Sequence, residues 1–275
     1  MPTAKHPASG SVVSLWRYPV KSMMGEELNA TAITERGLVW DRAYAIIDRA
    51  NGKVASAKNP KKWPKMFDFR ANVIDSPHAA SATPRLRIVL PDGTTVTSDM
   101  ENLDEILSRA FDRDVTLSGA RDGTVNAEAY WPDIEGLEQR DTVTEFTLPE
   151  DTFFDAAVVN LLTTATLDCL RTLYPQGRFE TRRFRPNIVV QPDSGGNSFV
   201  ENEWIGHTIT IGDGVRLSIT RACQRCVMTT LPQGDLPRDH GILRTIARFN
   251  HTNAGVYAAV IRGGTIRRGD SVKIE

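Results

Sequence analysis

A chain of 275 residues has room for one large domain or two modest ones, and its 33 Lys and Arg against 34 Asp and Glu leave a formal net charge of −1. That balance excludes a dedicated basic surface, so no nucleic-acid partner is expected; no apolar run approaches bilayer length, so no membrane span is expected either. Met1–Gly10 is small and polar without an apolar h-region, and three cysteines are an odd number in a chain that needs no disulfide staples, which together point to a cytoplasmic protein with reduced thiols.

In chain order, the first half reads as short β-rich runs. Ser11–Trp16, Val39–Ile47, Arg85–Leu90 and Thr94–Thr97 are predicted strands, and Asn51-Gly52 and Asp92-Gly93 are turn signals of the hairpin kind. A helix is predicted over Leu103–Phe111, with Asn102 and Glu105 spaced as a capping box. Arg121–Arg140 is charged and irregular and reads as the junction between two units, 11–120 and 121–275. Thr163–Leu173 then reads as a helix with Leu167, Leu170 and Leu173 near one face and Cys169 as a small core residue. Phe184–Val190, His207–Ile211 and Val215–Ile219 are predicted strands, the last two joined at Asp213-Gly214. Ile242–Phe249 is a predicted helix, and Gly255–Ile261 and Ser271–Ile274 close the chain as strands. The pattern predicts a β-rich α+β chain of two barrel-like units with a few covering helices.

Three constellations can carry chemistry. In Thr220–Thr230, Cys223 and Cys226 stand in a Cys-x-x-Cys spacing with Arg221 and Arg225 interleaved; guanidinium charges beside a thiol favour the thiolate, a soft nucleophile and metal ligand. Cys223, Cys226 and His240 match the first three ligands of a zinc finger, but His251 falls too far along to be the fourth. A thioredoxin-like dithiol lacks its βαβ surroundings, and an inert buried pair is the remaining reading. In Arg182–Asn187, a strand would send Arg183 and Arg185 to one face, where two cations meet an anion, with Pro186 marking an edge; the plain reading is a solvated basic edge. In Tyr18–Ser22, Lys21 with Ser22, and Arg42 downstream, offer two cations and a hydroxyl to phosphate or a similar anion, although each alone is an ordinary surface residue.

Taken together, these blocks resemble the MOSC superfamily, in the branch with an N-terminal MOSC-associated β-barrel domain packed on a C-terminal MOSC β-barrel domain. The resemblance is carried by Tyr18-Pro19-Val20-Lys21-Ser22, Phe184-Arg185-Pro186-Asn187, Cys223-Gln224-Arg225-Cys226 with Thr229-Thr230, Gly255-Val256-Tyr257, Gly264-Thr265-Ile266 and Gly269-Asp270. It is similar to the mitochondrial amidoxime reducing component and the bacterial YcbX-type proteins.

The resemblance implies a molybdenum cofactor, a molybdopterin with a phosphate tail, held at the seam between the domains. Cys226 is implied as the protein thiolate on molybdenum, and so as the catalytic residue, with Cys223 as nearby support. Lys21, Ser22, Arg42, Arg185 and Asn187 are implied to grip the pterin and its phosphate, Tyr257 to stand on the cofactor side, and Thr163 and Thr164 to belong to the same pocket. The activity implied is reduction of N-hydroxylated or N-oxygenated compounds such as amidoximes and hydroxylamines. YcbX-type chains often add a ferredoxin-like domain, whereas no cysteine follows Cys226 here; electrons are therefore expected from a separate ferredoxin-, flavodoxin- or cytochrome-type protein with its reductase. A second expectation of the family is sulfur transfer, with Cys226 as persulfide carrier beside a pyridoxal phosphate desulfurase, and a third is a molybdenum cofactor carrier.

Overall fold

The computed structural model describes residues 9–75, 83–119, 123–135, 137, 139–194 and 196–275. Met1–Ala8 of the polar N-terminus and Arg121, Asp122, Gly136 and Glu138 of the expected junction lie outside the described residues. From the N-terminus, β1 (Ser9–Arg17) is followed by β2 (Glu26–Leu28), β3 (Ala30–Thr34), β4 (Gly37–Leu38) and β5 (Tyr44–Asp48). Next come β6 (Arg70–Val73), β7 (Leu86–Val89), β8 (Thr95–Thr97), the helix α1 (Leu103–Phe111), β9 (Val115–Gly119), β10 (Asn126–Trp131) and β11 (Thr142–Thr147). From β5 onward the strands pair in small antiparallel sets, β5 with β9, β6–β7–β8, and β10 with β11. Single bridges such as Ile47–Val54 and Val54–Ala127 tie neighbouring sets together. Their shared core holds Met23, Ile46, Met66, Leu86 and the stacked rings of Phe69 and Phe111, 4.2 Å apart.

The second half supplies β12 (Val159–Thr163), α2 (Thr164–Leu173), α3 (Thr181–Phe184), β13 (Ile188–Pro192), β14 (Thr208–Ile211) and β15 (Val215–Gln224). It ends with α4 (His240–Asn250), β16 (Asn253–Arg262), β17 (Gly264–Arg267) and β18 (Ser271–Ile274). Seven strands form a closed ring in the order β13-β12-β16-β15-β14-β18-β1, and β1 seals it by pairing antiparallel with β13 through Gly10–Pro192 to Leu15–Ile188. Closure leaves no free edges within the ring and packs Val12, Leu15, Leu161, Ile188, Leu217 and Val256 inside it. β3 also crosses over, pairing with β17. The architecture is the expected β-rich α+β fold. Among the described residues, no helix is long and apolar enough to cross a membrane.

The structure departs from expectation in several places. Val39–Ile47 is not one strand: Trp40 and Arg42 adopt positive φ of 67° and 50°, making a turn between β4 and β5. The Asp41 carboxylate, accepting from Tyr18 N at 2.7 Å, stabilises that turn. The Asn102–Glu105 capping box does not form, because Asn102 sits at φ −99°, ψ 19°, outside the extended region an N-cap needs, and makes no cap bond. The irregular junction contains β10, whose Ala127 and Ala129 turn inward while Glu128 binds Lys53 and Asn59; alternation of small residues was too faint a strand signal. Cys169 is half-buried on α2 rather than a core residue.

The last departure matters most. Arg182–Arg185 is no strand; Thr181–Phe184 is a single helical turn, and Arg185, barred by Pro186 from continuing it, caps it in the left-handed region at φ 50°. Arg183 and Arg185 therefore part company. Arg183 is buried and its guanidinium donates to Arg178 O at 2.9 Å, Thr229 O at 3.0 Å, Leu231 O at 3.1 Å and Pro237 O at 2.9 Å. This cage fixes α3 to the segment after Cys226. Arg183→Leu, which strands those carbonyls, is expected to lower the unfolding free energy by roughly 3 kcal/mol, read as a lower urea midpoint at unchanged slope.

Candidate functional site

Where β1 ends, β12 and β13 begin and β15 finishes, one end of the ring faces Ala129–Trp131 and Phe153–Ala157 across a cavity of about 550 Å³. Its wall collects residues from distant parts of the chain because β1 is a staff of the C-terminal barrel. Lys21 and Ser22 follow β1, Arg42 hangs on the turn before β5, Arg185 and Asn187 precede β13, and Tyr257 and Cys226 come from β16 and the end of β15. Eight of the ten residues expected at a site, counting Cys223 beneath the wall, are thus brought to one place.

Positive charge dominates the wall. Lys21 Nζ donates to Phe153 O at 2.7 Å and meets Asp155 at 2.5 Å, and Lys58 reaches the same carboxylate at 3.1 Å. Burial lowers Lys21 to about 8, partly offset by Asp155. For Asp155, burial alone would raise the carboxyl, but Lys21 and Lys58 outweigh it and hold the group well below the ordinary carboxylate range. Arg42 and Arg185 lie 4.6 Å and 4.1 Å from the centroid of Tyr18, whose ring supports both guanidinium groups. Arg42 is paired with Asp41, while Arg185 donates to Met23 O at 2.7 Å. Burial, then the neighbouring Arg42 charge, brings Arg185 down to about 10, still cationic at neutral pH. Tyr18 Oη is buried with no hydrogen-bond partner among the described residues.

The backbone is strained where these groups converge. Ser22, Arg42, Arg185 and His251 line the cavity with φ of 65°, 50°, 50° and 48°, a region costly for residues with a Cβ and held here by surrounding bonds. Ser22 Oγ, for example, accepts from Ala57 N at 3.1 Å. Asn187 is a clamp: its amide donates to Asp41 at 2.8 Å and Trp16 O at 3.3 Å, and its oxygen accepts from Asn160 N at 3.1 Å.

Cys226 lines the cavity half-buried, at the N-terminal side of a short 3₁₀ turn over Val227–Thr230. Its electrostatics differ from the sequence expectation. Burial pushes its thiol up, and the chief opposing influence is Lys58 rather than the flanking arginines. Arg225 is turned inward to Ala254 O, Phe184 O and Asn160 Oδ1, and Arg221 is exposed at the cavity mouth. Cys223 is buried below the wall near Tyr257, whose phenol is pushed up by burial and by that thiol. Among the described residues, no group of three or more His, Cys, Asp and Glu side chains is arranged to hold a metal ion.

Thr163 and Thr164 do not line the cavity. Thr163 caps α2 and donates to Glu201 at 2.6 Å, a wholly buried carboxylate that also accepts from Thr166 at 2.6 Å and Gly255 N at 3.0 Å. Sequence reasoning missed Lys58, Asp155 and Asn160. Asp155 left one signal, a lone acid in the apolar stretch Phe153–Val159; Lys58 left none within its lysine-rich loop.

Residues 9–131 match the MOSC N-terminal beta barrel domain and residues 149–273 the MOSC domain. The chain is 25% identical over 288 residues to mitochondrial amidoxime-reducing component 1 of Mus musculus, covering 96% of this chain and 82% of that one. It is 25% identical over 290 residues to mitochondrial amidoxime reducing component 2 of Homo sapiens, covering 96% and 83%. A crystal structure of the YuaD protein of Bacillus subtilis superposes with a TM-score of 0.48 at 11% identity, covering 98% of this chain and 97% of the other. With both domains matched in order along most of its length, the chain belongs to the MOSC family, a MOSC N-terminal beta barrel domain preceding its MOSC domain.

Proposed function

We propose that this protein is a molybdenum-cofactor reductase of N-hydroxylated and N-oxygenated compounds, fed with electrons by a separate redox protein. The observation that carries the reading is the cavity itself: buried cations that outnumber their carboxylate partners, Asp155 in the wall and Asp41 behind Arg42, and Cys226 on the same wall. Its donor set fits the cofactor. Lys21, Arg42 and Arg185, with the Ser22 hydroxyl, provide the cationic, strained cradle that a phosphate-tailed pterin requires, and Tyr18 carries two of the three cations on its ring. Asn187 keeps that cradle in place by tying Trp16 and Asp41 to the start of β12. Relatives named for amidoxime reduction support the choice of substrate class.

Cys226 Sγ would be the protein ligand, and when bound the cofactor would supply a two-electron centre for removing oxygen from nitrogen. For an amidoxime the balance is the substrate plus two electrons and two protons giving the amidine and water. The chain's own part is to hold charge and geometry. Lys58 Nζ keeps a positive charge that favours the Cys226 thiolate, and Asp155 holds Lys58 in position. Burial favours the protonated form of the free thiol, so a thiolate role for Cys226 would require loss of that proton.

Three outcomes are expected. Freshly purified protein contains stoichiometric molybdenum and reduces benzamidoxime with a chemical donor, and Cys226→Ser loses both; metal-free protein bearing sulfane sulfur on Cys226 would instead favour sulfur transfer. Lys21 is cationic below about 8 and neutral above it, so affinity of cofactor-free protein for pyrophosphate, followed by calorimetry, should fall as pH rises through that value. Lys21→Arg should flatten the fall. Lys58→Met should move the pH midpoint of Cys226 alkylation upward in the cofactor-free chain, since a cation that favours the thiolate is removed.

A further inference from the structure

β15 carries an arginine that the cradle does not use. Val215, Leu217 and Ile219 alternate into the barrel core, and strict alternation would send Arg221 after them. A bulge intervenes between Ile219 and Arg221, which face Ala258 and Tyr257, and the extra residue, Thr220, bonds Tyr257 O at 3.1 Å. One added residue exchanges the faces of the residues that follow it, up to the next register shift between Ala222 and Gln224, so Arg221 is turned out to the cavity mouth instead of being buried.

There the guanidinium lies 5.4 Å from the centroid of Tyr257 and makes one long contact, 3.4 Å, to Ala156 O. It has no carboxylate partner among the described residues. The deeper charges are committed, Lys21 and Lys58 to Asp155, Arg183 and Arg225 to backbone carbonyls. Gln224, His251 and Asn253 add polar groups to the cavity lining. In the ring order β13-β12-β16-β15, Arg221 stands three strand spacings from the strand that follows Asn187, about 14 Å of backbone at ~4.8 Å per step. Its contacts are the Tyr257 ring and the carbonyl of Ala156, next to Asp155, which makes it distinct from the two arginines carried on the Tyr18 ring.

We propose that Arg221 is a specificity-determining residue that selects substrates carrying an anionic group, a carboxylate or a phosphate, alongside the N–OH function. This rests on the reductase reading above. A planar, always-charged fork held on an aromatic face is suited to bidentate capture of such an anion, and its place at the mouth leaves the N–OH end of the substrate to reach inward toward Cys226.

The test uses loaded protein and two matched pairs, benzamidoxime with 4-carboxybenzamidoxime, and N4-hydroxycytidine with its 5′-monophosphate. The wild-type chain should prefer the charged member of at least one pair, and the preference should shrink with added salt. A preference confined to one pair identifies the anion. Arg221→Met should raise KM for that charged substrate about tenfold while leaving kcat, turnover of the neutral partner and molybdenum content unchanged, and Arg221→Lys should recover part of the loss. Calorimetry with 4-carboxybenzamidine and benzamidine, the products, should show the same selective loss without any turnover. Equal loss for neutral and charged substrates, loss of molybdenum, or no change in KM for either would overturn the proposal. If no amidoxime is reduced at all, the reductase reading fails; charge-selective product binding that disappears in Arg221→Met would still uphold the anion site.

Discussion

Lys21 and Lys58 share one carboxylate, Asp155, in a wall that also receives Arg42 and Arg185, and the burial of this surplus positive charge governs much else in the structure. Desolvating a cation is costly, and the fold offsets the cost in different ways. Arg183 and Arg225 are absorbed by backbone carbonyls, Arg42 and Arg185 rest on the Tyr18 ring, and the two lysines depend on Asp155. What is left over, a cationic cavity, is the physical basis for assigning an anionic cofactor.

The barrel topology makes that concentration possible. Because β1 seals the ring between β13 and β18, the segment Tyr18–Ser22 emerges beside Arg185 and Asn187, residues more than 160 positions later. The arrangement is tight to the backbone. At Gly255, φ is 80° and an added Cβ would lie 2.5 Å from Leu161 O and 3.0 Å from Arg225 Nη2, so glycine permits β12, β16 and the Arg225 side chain to meet. Glu201 holds the same glycine from the other side through its backbone N–H. The strained residues around the cavity are therefore supported by a rigid ring, the condition under which such conformations persist.

Much of the fold could be read in the residues. Turns at Asp92-Gly93 and Asp213-Gly214 and the runs around them reappear as β7–β8 and β14–β15, since glycine at positive φ and alternating apolar side chains are local properties. The weaker elements failed for local reasons as well. β10 alternates alanines with polar residues, and Trp40 and Arg42 interrupt an apolar-rich run that carries no glycine or proline to announce a turn.

Cys226, Lys21, Arg42 and Arg185 were recognisable as chemistry-bearing because thiols and grouped cations are informative by residue type and spacing, and because their motifs match the MOSC pattern. Their electrostatic relations were not. Sequence neighbours suggested that Arg221 and Arg225 tune the thiol, yet one is at the mouth and the other, buried against carbonyls, contributes little, while Lys58, 168 positions upstream of Cys226, is the chief cation opposing the effect of its burial. Local patterns decide where strands and turns form. Which charges face each other, which are spent on carbonyls and which stay available depends on long-range pairing and on the bulge between Ile219 and Arg221, and no spacing within one segment encodes that.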